Sequence, residues 1–187
     1  MTRTGQHDHH DATITRDITH EGVCTMCLTE RTNEALDGIA NFTTGTRNCP
    51  AQQGRRQLAC ELAALDKLAC SVSHLQVATD ELANATIDEL RALADGLSGR
   101  LTYLLEPIAA VEIDSDRCVV QLRSVQPSRE AGANSYYELM VHRGGAIALE
   151  RFSAEPGQPR RTIPAQFTRQ VLSRLIGDFE AVLDDFS

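Results

Sequence analysis

Chemistry in this chain of 187 residues starts with its thiols. The stretch HEGVCTMCLTERTNE, residues 20–34, sets Cys24 and Cys27 two residues apart, with His20 one helical turn upstream. Zinc takes soft neutral or deprotonated ligands in a tetrahedron, and a closed structural site uses four. Cys24 and Cys27 have the spacer of a zinc knuckle, Cys49 is the next thiol downstream, and His20 completes a candidate set. A second Cys-x-x-Cys pair is missing, so the motif is half a zinc signature, set against the plainer reading of unpaired tail thiols. No βαβ pattern surrounds the pair, which argues against a thioredoxin-like redox role. The tract HDHHD, residues 7–11, offers loose chelation at most.

Elsewhere the catalytic inventory is sparse. The chain has no G-x-S-x-G nucleophile elbow, no phosphate loop and no dinucleotide fingerprint. GLSGRL, residues 96–101, lacks the upstream strand that would aim backbone amides at a phosphate. His74 and His142 stand alone, and Glu112 and Glu138 would work as acid and base only if brought close together. The reading leans away from an enzyme.

Composition narrows the classes further. Net charge is −8 and the pI is near 5.2, whereas a nucleic-acid binder carries a basic face that releases counterions. The densest basic spots are two Arg pairs, so nucleic acid is not expected as a partner. No run reaches the roughly 18 apolar residues of a membrane span, and the N-terminus lacks a signal-like apolar region. The expectation is a cytoplasmic protein with no membrane partner. Cys60, Cys70 and Cys118 fall in apolar segments, where a free thiol packs as a small hydrophobe.

The elements that would carry these residues follow from periodicity. Residues 1–54 show no sustained apolar period and read as a disordered Thr- and Asp-rich tail. Residues 55–187 read as one domain. Leu58, Leu62, Leu65, Leu68, Ala69, Val72 and Leu75, at spacings of three and four, predict a helix over about 56–78. A second helix is expected over about 86–105, opened by a Thr86/Glu89 capping box. The period then drops to two, giving strands at about 109–113, 118–125, 135–142 and 146–152. Val111 and Ile113 are placed on the core face, opposite Val120 and Cys118. A three-residue loop, Arg143 to Gly145, sets Val141 against Ile147 and Leu139 against Leu149. A last helix is expected over about 164–185, with Pro164 at its first turn. The fold class is therefore α+β, in two layers: two N-terminal helices, a four-stranded antiparallel β-meander and a C-terminal helix. That order resembles small secretion-chaperone-like folds, a likeness of element order that implies no function.

The face of the meander away from the core collects Tyr136, Met140, His142, Phe152 and Arg123. A fully solvated sheet face is more polar than this, which points to a partner surface, either for another protein or for a second copy. Two functional readings stand. The first is a small binding or adaptor module acting by protein–protein interaction, with no cofactor. The alternative is a zinc-binding sensor or enzyme whose site forms at Cys24, Cys27, Cys49 and His20.

Overall fold

The structure, a computed structural model, describes Met1 and residues 26–130 and 133–186. In chain order it contains α1 (Leu28–Asp37), β1 (Arg47–Asn48), β2 (Ala51–Gln53), β3 (Arg56–Leu65), β4 (Ala69–Thr79) and α2 (Ile87–Arg100), which runs into a 3₁₀ turn, Leu101–Leu104. There follow β5 (Ile108–Asp114), β6 (Val119–Ser124), β7 (Ser128–Glu130), β8 (Ala133–His142), β9 (Ala146–Ala154), β10 (Arg161–Ile163), β11 (Ala165–Thr168) and α3 (Arg169–Phe186).

The helix expected over 56–78 is instead the β3–β4 hairpin. Two bulges explain the misreading. Leu62 pairs with Val72 and Ala64 with Ser71, so Ala63 is an extra residue on β3; Glu61 pairs with His74, so Ser73 is an extra residue on β4. Each bulge stretches the two-residue alternation to a step of three, Leu62 to Leu65 and Val72 to Leu75, and three is also a helical step. The reversal sits at Asp66, whose Oδ1 accepts the Leu68 and Ala69 amides at 2.7 Å each. Leu68, counted in the helical stripe, stands exposed at the hairpin tip.

Three further corrections follow. The sheet has 11 antiparallel strands, not four. The last helix begins at Arg169, because residues 161–168 lie in strands: β10 pairs with β9 and β11 with β4, on either side of Pro164. These two short strands fill the gap where β4 and β9 separate. Residues 26–54, expected in a disordered tail, hold α1, β1 and β2, with Leu28, Leu36 and Cys49 fully buried. α2 begins with the expected capping box, Thr86 and Glu89 each bonding the other's backbone amide. The β8–β9 hairpin has the register a three-residue loop demands, Val141 opposite Ile147 and Leu139 opposite Leu149, with Gly145 at φ +87°.

Strand order is β1-β3-β4-β9-β8-β6-β5. α2 and α3 lie on one face and bury Leu75, Val77, Val120, Leu122, Leu139, Val141, Ile147 and Leu149 beneath them. α1 packs on α3 and β2. No helix among the described residues is long and apolar enough to cross a membrane. The two sheet edges differ. At one, β3 is covered by β1, β2 and a bridge from Phe42 to Leu65. At the other, β5 pairs with β6 alone among the described strands.

Candidate functional site

Along β5 the sequence expectation and the structure part. Ile113 pairs with Val120 and Glu112 with Gln121, while Ala110 pairs with Leu122, so Val111 is a bulge residue with no partner. An antiparallel edge strand has neighbours on one side only; α2 covers the start of this one, where Ser98 Oγ donates to the Ile108 carbonyl and Ile108 is buried, but residues 110–113 beyond stay exposed. Val111 is 55% exposed and Ile113 39%. Leu105, held at φ +63° just before the strand, and Val125, whose amide donates to the Pro107 carbonyl at 2.7 Å, are also exposed. Four of the six large exposed hydrophobics among the described residues therefore lie on or beside this edge. Exposed apolar residues beside an unpaired strand edge leave that edge open to pairing with another chain.

The strand's own charges are acidic. Glu112 makes no ion pair among the described residues, and Asp114 bonds the turn ahead of it, accepting the Arg117 amide at 2.9 Å with the guanidinium 3.7 Å away. Asp116 adds a third carboxylate in that turn.

Where β5 begins, a cleft of about 650 Å³ opens into the core face. Exposed Leu105 stands at its rim, and buried Glu106 and Tyr137, the latter stacked on Phe167 (6.1 Å, 13°), form a wall. The Arg151 guanidinium lies 4.5 Å from the Tyr137 ring centre and 2.9 Å from Glu106. Glu106 also accepts from Ser124 Oγ at 2.6 Å, and Ser124 Oγ in turn accepts the Tyr137 amide at 2.8 Å. Burial raises the Tyr137 hydroxyl's pKa. The same holds for Tyr103 at the cleft's other side, where a hydrogen bond to Asp178 acts in the same direction. Ser128 and Ser135 also line the cleft, but His74 and His142 lie on the opposite face of the sheet. Among the described residues no histidine stands beside these serines, and the cleft's carboxylate, Glu106, is engaged by Arg151 and Ser124. The cleft is thus a recess with an ion pair already closed in its wall.

The five residues expected as a partner surface divide into two groups. Tyr136 and Phe152 stack at 5.9 Å, and each ring is roofed by a guanidinium: Arg123 at 5.0 Å from Tyr136, Arg160 at 4.3 Å from Phe152. Both arginines donate to Glu138 Oε2, at 3.0 and 2.5 Å. The bond from Arg160 to Glu138, followed by one to Tyr136, holds the Arg160 pKa above its usual value. Under this roof Tyr136 and Phe152 are each 8% exposed. Met140 and His142, half-buried, lie further along β8 opposite Ala148 and Ala146.

Of the proposed zinc ligands, His20 and Cys24 lie outside the described residues. Cys27 is the exposed N-cap of α1, its Sγ accepting the Glu30 amide at 3.4 Å. Cys49 is in the core beneath α1, bonded through Sγ to the Thr32 carbonyl at 3.9 Å, and burial pushes its thiol up to about 11. Among the described residues no three His, Cys, Asp or Glu side chains stand together as metal ligands would. The β5 edge and the Arg151–Glu106 wall were not foreseen. The wall was within reach, because the β8–β9 register that puts Leu149 in the core also puts Arg151 there, opposite Tyr137. Compared with known proteins, the chain matches no family model, and no curated protein or solved structure is significantly similar to it.

Proposed function

We propose that this protein is a binding module that works by protein–protein contact, with the free edge of β5 as its contact surface. The observation that carries the reading is the set of exposed apolar residues, Leu105, Val111, Ile113 and Val125, on or beside the one long strand edge left uncovered among the described residues. A solvent-exposed strand normally protects its edge with Lys, Pro or a covering segment. Among the described residues the opposite edge has a covering segment, whereas β5 has only the Val111 bulge and its acidic side chains. The cleft at the start of β5 adds a recess for an anchoring side chain. We place the module in the reducing cytoplasm, a placement supported by the five cysteines among the described residues, all free and four of them buried.

Site-specific photo-crosslinking in cells tests this. A benzophenone side chain at position 111 or 113 gives a discrete adduct, whose mass tells a second copy from another protein. The same group at Leu68, exposed at the remote β3–β4 tip, gives none. Adducts from position 68 alone, or none from 111 and 113, overturn the reading.

A further inference from the structure

The β5 edge also limits what sort of chain pairs with it. We infer that its ligand is an extended segment of another protein that adds to the sheet as a further strand, carrying basic residues at alternate positions with apolar residues between them. The inference rests on the binding-module reading and specifies its ligand.

The strand's two faces set the pattern. Glu112 and Asp114 pair with Gln121 and Val119 and share the face away from the helices; Ile113 pairs with Val120 and shares the helix-covered face. A strand added to β5 continues both faces, because side chains alternate with a period of two. On the helix side its residues meet Ile113, where apolar side chains extend the core outward. On the other side they meet Glu112 and Asp114, where Lys or Arg forms opposite-charge cross-strand pairs. Asp116, just beyond the strand, extends the negative field along the edge.

The same charges argue against a second copy. β5 reads IAAVEID and contains no basic residue. Laid antiparallel on itself, it sets Glu112 and Asp114 against like charges or against apolar side chains, and the one nearby cation, Arg117 in the turn, is already beside Asp114 and leaves Glu112 unanswered. Like charges directly opposite are destabilising. The covered edge at β3 is closed to any such strand. The ligand is therefore a different chain.

The test uses the full-length protein and two blocked nine-residue peptides, one alternating Lys and Val, the other Glu and Val. Fluorescence anisotropy at physiological salt gives at least about tenfold tighter binding of the basic peptide, from two cross-strand charge pairs formed in one complex and opposed in the other. Hydrogen exchange locates it, with amides of 108–114 gaining protection and those of 56–65 unchanged. In the double variant Glu112→Arg/Asp114→Arg the preference reverses. General attraction of a basic peptide to an acidic protein leaves the β5 amides unprotected and survives the charge swap. Either result overturns the inference. If positions 111 and 113 crosslink to a protein while neither peptide protects β5, the binding-module reading stands and strand addition falls.

Discussion

Glu180 shows how one side chain joins two helices. The first four amides of any helix lack intrahelical partners, and in α1 each finds one. The Cys27 amide donates to Glu30 Oε2 and the Glu30 amide to Cys27 Sγ. The two between them, Leu28 and Thr29, donate to Glu180 on α3 at 2.6 and 3.1 Å, and the Thr29 hydroxyl adds a third bond at 2.6 Å. Glu180 is 9% exposed. Its carboxylate also faces the positive end of the α1 dipole, so hydrogen bonding and electrostatics act together. Glu180→Ala leaves two helix-end amides without acceptors and destabilises the protein by about 3 kcal/mol. Glu180→Gln keeps an acceptor and costs about 1 kcal/mol. Urea denaturation measures both, and equal losses would mean that the carboxylate only fills space. None of this was legible in the sequence. The segment reads as tail in the sequence, and the carboxylate that completes the start of α1 lies about 150 positions away.

At the scale of elements, the most informative contact is where the β8–β9 hairpin tip meets the end of β4. The Thr79 amide donates to the Gly145 carbonyl at 2.7 Å, and a Cβ on Gly145 would overlap the Thr79 carbonyl oxygen. Gly145 thus has two reasons to be glycine, its left-handed φ and this close approach. Gly157 shares the first reason, at φ +78°, but a Cβ there meets nothing within 4 Å. Gly157→Ala therefore costs about 1 kcal/mol, the left-handed term alone. Gly145→Ala costs about 3 kcal/mol or more, because the hairpin must also move off β4. Thermal unfolding of the two variants separates the contributions, and a similar small shift in both would mean that the tip does not dock. The hairpin itself was legible, because a glycine where the chain turns back and an uninterrupted alternation on both sides fix its register. The β3–β4 hairpin was not, since its bulges at Ala63 and Ser73 convert a strand period into a helical one. β5 shows a third kind of limit. Its alternation correctly marks a strand, but only the sheet order makes it an edge, and sheet order depends on long-range pairing that local pattern does not encode.

For the whole molecule, the buried thiols report whether one core runs from α1 to α3. Cys49, Cys60 and Cys70 lie on three different segments, from the approach to β2 through β3 to β4, and all are buried in the same cluster. Burial is the main cause that raises each thiol, Cys49 and Cys70 to about 11 and Cys60 further still. At pH 8 a thiol at about 11 is thiolate in roughly one molecule per thousand, and the thiolate is the nucleophile. Native alkylation at pH 8 therefore modifies exposed Cys27 readily. It reaches Cys49, Cys60 and Cys70 only through unfolding, together and at one rate set by global stability. The same shifts fix the sign of the alkaline response. In the unfolded chain the thiols lose protons near pH 9, while the folded core holds them neutral to about 11. Stability is thus complete below about pH 9 and falls as pH rises towards 11, by about 1.4 kcal/mol per thiol per pH unit within that window. Replacing Cys49 and Cys70 by Ala lowers stability at pH 8 through lost packing but flattens the fall above pH 9. Urea midpoints at pH 8 and pH 10 decide the matter. An unchanged slope in the double variant, or labelling of Cys49 well ahead of Cys60, would mean that α1 and the strands beneath it open apart from the rest of the core.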